Sequence, residues 1–441
     1  MKYSFQGYSK VMVLIVTLVL FATVGICRGA NRKPNIVLIM ADDLGYETIT
    51  ANGGTSYKTP NLDKLAATGA RFTHCFASPI CSPSRVQIMT GLYPFRTGWI
   101  KHINQIPRNK QRLSPSFTTF AHMLKKAGYA TAVAGKWQLA RFDDNPEHAT
   151  QLGFDDYCLW TWSFGEKENP SRYWKPNIWQ NGKLITEVQR DNIYGPDIFT
   201  EFILNFIRNH KESPFFAYYP MVLPHAPFQY TPDNLNRKEV SDQQKMFADM
   251  VSYMDKLVGQ IISTIKELGL KDKTIILFTA DNGTPRRIVS SMGDISLRGG
   301  KGKVTDLGTR VPLIAGWKGV IPSGLVCHDL IDFTDFFPTL AHIAEIEKQS
   351  SFRIDGHSFL PQLKGEKGNP RKWVFLQLNR RQAFRTKHWK LNQYGWLFNL
   401  KEDPFELHPI LKGKDNVESS TARKDIEEIV RKMFHIKGKN Q

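Results

Sequence analysis

The chain has 441 residues, of which 41% are hydrophobic and 23% charged, and its 59 Lys+Arg against 41 Asp+Glu give a net charge of +18. That length exceeds one small core and predicts a large α/β domain with a smaller companion, while the absence of low-complexity runs and repeats excludes a fibrous or solenoid chain. No basic stretch or nucleic-acid motif accompanies the charge, so the excess favours a polyanionic partner other than nucleic acid.

The first 30 residues read as a signal peptide. Lys2 and Lys10 supply the positive start, Val11 to Ile26 is apolar, and small residues surround Gly29-Ala30. The apolar run is close to bilayer-spanning length, so a retained anchor is the competing reading; bulky Ile26 argues against a lipid on Cys27. Without Lys2, Lys10 and Arg28 the net charge is +15. Setting Cys27 and Cys81 aside leaves Cys75, Cys158 and Cys327, too few for a disulfide framework although one bridge is possible. The one N-x-S/T sequon outside Asn-Pro is Asn282-Gly283-Thr284, whereas a glycosylated lysosomal protein usually carries several. The sequence therefore reads as exported, periplasmic or secreted, and bacterial rather than lysosomal.

In chain order, short apolar runs precede polar groups. Ile36 to Met40 leads into Asp42-Asp43, and Cys81-Ser82-Pro83-Ser84-Arg85 is followed by Met89-Thr90-Gly91. Ala130 to Ala134 precedes Gly135-Lys136-Trp137-Gln138-Leu139, and Phe215 to Tyr219 precedes Leu223-Pro224-His225-Ala226-Pro227. Thr274 to Thr279 leads into Asp281-Asn282-Gly283, and Arg298-Gly299-Gly300-Lys301-Gly302 runs on to Arg310-Val311-Pro312. The apolar runs predict buried strands. Met246, Phe247, Met250, Val251, Met254, Leu257, Val258, Ile261, Ile262 and Ile265 mark one face of a long helix. Strands alternating with helices predict a mostly parallel central sheet flanked by helices, with ligands beyond the carboxyl ends of its strands. From about Ile354 the texture changes. Val374 to Leu378, Trp389 to Leu391 and Trp396 to Leu400 predict short strands, and Asp425 to Phe434 a helix. The expected organisation is 1–30 signal peptide, 31–353 catalytic α/β domain and 354–441 C-terminal α+β subdomain.

Asp42, Asp43, Asp281 and Asn282 offer only oxygen ligands, which suits a hard cation such as Ca²⁺. No His or Cys pair stands at zinc spacing among them. Adjacent aspartates after one strand are by themselves a helix cap or a solvated turn; a second acidic pair after another strand favours a metal site. Between Tyr157 and Trp179, the aromatics Trp160, Trp162, Phe164, Tyr173, Trp174 and Trp179 accompany Arg172 and Lys175. They fit a sugar-stacking subsite or the packing of an insertion equally well.

These segments together resemble the type I sulfatases of the alkaline phosphatase-like superfamily. The likeness rests on C-x-P-S-R with a downstream T-G, on the paired carboxylates after the opening strand, and on the G-K-W, P-H-x-P, D-N-G and late lysine segments. It runs from about Pro34 to the C-terminus. It implies an α/β catalytic domain with a small C-terminal antiparallel sheet and helix. It implies that a formylglycine-generating maturation enzyme oxidises Cys81, whose hydrated aldehyde is the nucleophile: one hydroxyl attacks sulfur and the other later expels sulfate. One Ca²⁺ would be held by Asp42, Asp43, Asp281, Asn282 and the modified Cys81. Arg85 would orient the hydrate, Lys136 and Lys301 would hold sulfate oxygens, and His225 would protonate the leaving alcohol.

Gln138 departs from the pattern, because the family usually has His there. An amide can bind a sulfate oxygen but cannot act as a base. Another group (an Asp ligand, His225 or water) must then take the proton, or turnover is slow, or the chain belongs to a specialised subgroup. The resulting expectation is a sulfuric ester hydrolase that removes O-sulfate from a sulfated carbohydrate. Its rivals are a phosphonate or phosphate-ester hydrolase of the same superfamily and a catalytically impaired binder of sulfated glycans.

Overall fold

Why the polar groups converge is visible in the strand order. The computed structural model describes residues 33–161, 163–164, 167–168, 171–185, 192–237, 241–346 and 353–435, so the expected signal segment lies outside the described residues. Among them, ten strands form one sheet in the order Leu325–Asp332, Ala70–Phe76, Arg310–Gly316, Thr274–Ala280, Asn35–Ala41, Phe215–Pro220, Ala130–Lys136, Asp156–Trp160, Ile178–Gln180 and Lys183–Ile185. The central five, from Thr274–Ala280 to Asp156–Trp160, run parallel. Arg310–Gly316 is inserted antiparallel between Thr274–Ala280 and Ala70–Phe76, so the sheet is mixed around a parallel centre.

Asn35–Ala41 and Thr274–Ala280 are buried at every position, as expected of central strands covered on both faces. Each of the four apolar runs predicted for the large sheet is a strand, extended by one or two residues. The amphipathic pattern forms the helix Gln243–Glu267, capped by the Asp242 carboxylate, which accepts from the Gln244 and Lys245 amides. Of the predicted face only Ile262 falls short of full burial.

Val374–Leu378, Arg381–Arg385, Trp389–Asn392 and Leu397–Asn399 form a four-stranded antiparallel sheet, with Arg381–Arg385 an addition to the expected strands. The last helix is longer than expected and runs Val417–His435. Its start lacks apolar periodicity and is set by polar capping instead. Asn416 Oδ1 accepts from the Ser419 amide at 2.8 Å, and Ser419 Oγ accepts from the Asn416 amide at 2.9 Å. Described residues from Pro34 onward belong to one compact unit, and no described helix is long and apolar enough to cross a membrane.

Candidate active site

The parallel strands end together, and their next residues meet. Asp42 and Asp43 follow Asn35–Ala41, and the Asp281 amide donates to Ala41 O across to Thr274–Ala280. Lys136 ends Ala130–Lys136. Gly135 makes that ending possible: its φ is +115°, and a Cβ there would lie 2.1 Å from Pro220 O. His225 follows Phe215–Pro220, in a loop tied down by Tyr173, whose hydroxyl donates to Val222 O at 2.9 Å and to His225 O.

Cys81 is the first residue of the helix Cys81–Thr90, and Arg85 lies one turn on, so both share a face. The whole helix is buried. The lysine loop is pinned beside it, since the Gly302 amide donates to Pro79 O at 2.8 Å and the Lys301 amide to Thr284 O at 3.0 Å.

Charges here pair closely. Lys136 Nζ donates to Asp42 Oδ1 and Oδ2 at 3.0 and 2.8 Å, and Lys301 Nζ to Asp43 Oδ2 at 2.6 Å. Arg85 donates to Asp281 Oδ2 at 2.7 Å and to Lys136 O at 2.9 Å. Asp281 Oδ1 accepts from the Asp43 amide at 3.1 Å. Asn282 Nδ2 donates to Asp43 Oδ1 and Gly283 O, leaving its buried Oδ1 unpaired. His225 Nε2 is 3.6 Å from Asp43 Oδ2. Eight of the sequence-predicted site residues thus form one cluster; Cys81 heads the helix that carries Arg85, and Gln138 bonds to His102 instead.

Burial alone would raise the Asp42 carboxyl; Lys136, His225, Arg85 and Lys301 outweigh it and hold the group far below the usual range. Burial and the Asp42 charge push Asp281 up, against the pull of Arg85. Burial would likewise raise the Cys81 thiol, but Lys136, His102 and Lys301 bring it down to about 6. Burial pushes His225 down despite the Asp43 and Asp42 charges.

Asp43, His225 and Lys301 line an open cleft of about 980 Å³, whose wall carries Arg286, Arg287, Arg298 and Lys303. Lys301 thus reaches the acidic pair, while its neighbour Lys303 stays on the exposed rim. Asp42, Asp281 and Asn282 are 0% exposed beneath it, so the sequon asparagine is a buried site residue.

A Sulfatase family model matches residues 34–346. The chain belongs to the sulfatase family. Mouse N-acetylgalactosamine-6-sulfatase is 32% identical over 415 residues, covering 87% of this chain and 76% of that protein. Human arylsulfatase A is 32% identical over 365 residues, 78% of this chain and 70% of its own length. Among solved structures, Ps i-CgsB in complex with k-i-k-neocarrahexaose superposes with a TM-score of 0.77 at 27% identity, covering 93% of this chain and 94% of that one. This sulfatase therefore hydrolyses sulfate esters on an alkaline phosphatase-like fold.

One residue beside the site, His102, escaped the sequence reading, and another, Arg172, was read only as a companion of the aromatic segment. His102 helps to bring the Cys81 thiol down, and Cys81 in turn raises the imidazole; His102 Nε2 lies 2.7 Å from Gln138 Nε2. Arg172 is 4% exposed, stacks 4.0 Å over the Trp160 ring and brings Nη1 within 3.8 Å of Asp42 Oδ2. No motif carries either residue; only the tertiary fold brings them in. The aromatic segment is explained largely by packing. Trp160 and Tyr173 are buried, and Trp174 stacks on Tyr230 and donates to its carbonyl. Trp162 lies outside the described residues, as does the side chain of Phe164.

Proposed function

We propose that this sulfatase removes O-sulfate from a sulfated carbohydrate, using the hydrate of a formylglycine made from Cys81 and one Ca²⁺ ion. The observation that carries the reading is the convergence of Cys81, Arg85, Lys136 and Lys301 on a buried set of oxygen donors from two strand ends. The donors fit the ion. Three carboxylates crowd one pocket, Asp281 is the least compensated of them, and the unpaired Asn282 Oδ1 is a neutral acceptor among them. Asp42 and Asp43 with His225 present ligand atoms within 4.8 Å of one another. His225 lines the cleft and is more exposed than the acids, which suits contact with the substrate rather than the ion. Ca²⁺ bound by Asp42, Asp43, Asp281, Asn282 and residue 81 would withdraw charge from the sulfate oxygens.

Around it the chain's own groups divide the work. Arg85, a fork held by Asp281 and Lys136 O, orients residue 81. Lys136 and Lys301 turn from the carboxylates to the sulfate oxygens and balance the charge of the transition state. His225 donates the proton that the leaving alcohol needs. Carbohydrate as substrate is supported by the open cleft with its four basic wall residues and by relatives named for N-acetylgalactosamine 6-sulfate and neocarrahexaose. Lys2, Lys10, the apolar run and Gly29-Ala30 support export.

Paired assays with aryl sulfate and aryl phosphate, followed by defined sulfated saccharides, test the reaction class. Faster turnover of the phosphate would overturn it. Mass spectrometry of the Cys81 peptide should find a hydrazide-reactive aldehyde, and an intact thiol in fully active protein would sink the proposed nucleophile. Elemental analysis should find one Ca²⁺ per chain, lost together with activity in Asp281→Ala.

A further inference from the structure

Gln138 stands where the resemblance expects a base, and the structure brings a histidine to the same place from another part of the chain. His102 precedes the turn Ile103–Gln105, far in sequence from the segment that carries Gln138. The position of that turn is fixed from the nucleophile's side: the Ile103 amide donates to Ser82 Oγ at 3.1 Å, and Ser82 and Ile103 are both fully buried. Ser82 is the neighbour of Cys81, so the loop bearing His102 is stapled to the helix that presents the nucleophile. The His102 ring is half-buried and lies close enough to Cys81 to help bring its thiol down.

Its tautomer follows from its partners. His102 Nδ1 lies 2.5 Å from Asn104 Oδ1 and 3.3 Å from the Asn104 amide, which would donate to it in the other tautomer; the closer contact favours the proton on Nδ1. Nε2 then carries the lone pair, and Gln138 Nε2 donates to it at 2.7 Å. Gln138 Oε1 is buried with no partner, and the residue is held at a φ of +55°. An amide can serve both protonation states of an imidazole. Its NH₂ end donates to the free Nε2, and after a half-turn its idle oxygen accepts from Nε2–H. Glutamine cannot take a proton, but it can hold a histidine that does.

We propose that His102 is the catalytic base that releases sulfate from residue 81, with Gln138 as its positioning partner. The inference rests on the formylglycine reading. In the release step the O–H bond of the free hydroxyl on the sulfated side chain breaks and its proton passes to His102 Nε2. The electron pair of that bond becomes the second C–O bond of the aldehyde. The C–O bond to sulfate breaks, and its pair leaves with the sulfate dianion. Water then adds to the aldehyde to restore the hydrate, and His102 returns its proton to solvent.

The test uses the full-length protein and an aryl sulfate. His102→Ala should still release about one phenol per enzyme in a burst, because the attack on sulfur does not need this base. Steady turnover should then fall by about 10²- to 10⁴-fold, the usual span for a positioned base. The residue-81 peptide of the stalled variant should carry the added mass of one SO₃ group. The exchange His102→Gln with Gln138→His, which returns the ring to the family position, should recover most of the turnover and clear the adduct. It also guards against a His102→Ala variant that misfolds. Unchanged turnover in His102→Ala would overturn the proposal, as would a fall with neither burst nor adduct in a folded variant. An exchange variant as slow as His102→Gln alone would do the same. The two readings fail separately. A wild-type peptide without aldehyde sinks the formylglycine reading, whereas an aldehyde present with no adduct in His102→Ala sinks only the role of His102.

Discussion

Two buried charge clusters in this molecule use the same residue types to opposite ends. Between the large domain and the C-terminal sheet, Arg385 and Lys390 enclose Asp306, and Lys390 also reaches Glu406 at 2.9 Å. Nearby, Arg371 donates to Asp335, Tyr93 and Trp373 O. None of these six charged side chains leaves a buried polar atom unpaired. At the sulfatase site Arg85 Nε, Gln138 Oε1, Asn282 Oδ1 and Arg172 Nη1 are all buried without a hydrogen-bond partner, although Arg172 Nη1 lies within 3.8 Å of Asp42 Oδ2. Such an atom costs about 1–3 kcal/mol, and the fold tolerates four in one place. The closed cluster joins two sheets, and the open one has spare hydrogen-bonding capacity that the proposed function assigns to a substrate and an ion. Residue type does not separate the two clusters; the concentration of incomplete pairing does, with Asp332 Oδ2 the single such atom beside Arg371 and Asp335.

The largest expected contrast is between Cys81→Ala and Arg371→Ala. Cys81→Ala should abolish turnover and leave the thermal midpoint close to that of the wild type, since it removes one small side chain from an otherwise intact helix. Arg371→Ala strands the Asp335 carboxylate in a dry site and should lower stability by about 3–5 kcal/mol, while the molecules still folded at low temperature keep their specific activity. Denaturant titration beside an active-site count checks both, and equal stability losses in the two variants would erase the distinction.

A smaller effect is expected at Arg172. If its Nη1 is kept open for a sulfate oxygen, Arg172→Met preserves the stack on Trp160 but should lower kcat/KM by about 10- to 100-fold, the range of one charge-assisted hydrogen bond. Steady-state kinetics would show this, and a loss of stability without a kinetic change would move Arg172 to the closed class.

The smallest effect concerns Asp332, behind the helix Cys81–Thr90, whose Oδ1 accepts from Gln87 at 2.8 Å. Burial pushes its carboxyl up to about 6, with Arg371 opposing and Asp335 adding to the rise. A folded value above the unfolded one means that the native state binds the extra proton, so this group's contribution falls as pH rises from about 4 to 6. Asp332→Asn should flatten that slope in urea titrations across the interval, with turnover unchanged. An unaltered slope would show that the group does not titrate there.

The convergence of the proposed site residues was legible in the sequence because each member sits in a short segment with its own punctuation: an apolar strand, then Asp-Asp, Gly-Lys-Trp or Pro-His-Ala-Pro. Those segments also fixed the parallel centre of the sheet. His102 was not legible, and Arg172 was legible only as a companion of the aromatics rather than as a neighbour of Asp42, since both come from irregular chain whose course depends on long-range contacts such as Ile103 to Ser82 and Arg172 to Trp160. The antiparallel insertion of Arg310–Gly316 was hidden for a related reason: a fully covered strand reads the same in either direction. The early start of the last helix was encoded in Asn416 and Ser419, a polar signal that apolar periodicity passes over.

The burial of Cys81 sets an order of events in biosynthesis. Its side chain is 1% exposed at the head of a helix with no exposed face, so a second protein cannot grasp residues 81–85 once the sheet has closed over them. If this cysteine is oxidised as proposed, the modifying enzyme must reach the segment as an extended peptide, before or during folding. Maturation then becomes a race between two rates, and a faster-folding variant would emerge from the cell well folded and poorly activated. Refolding purified thiol protein in the presence of the maturation enzyme, with the moment of addition varied, would time that window.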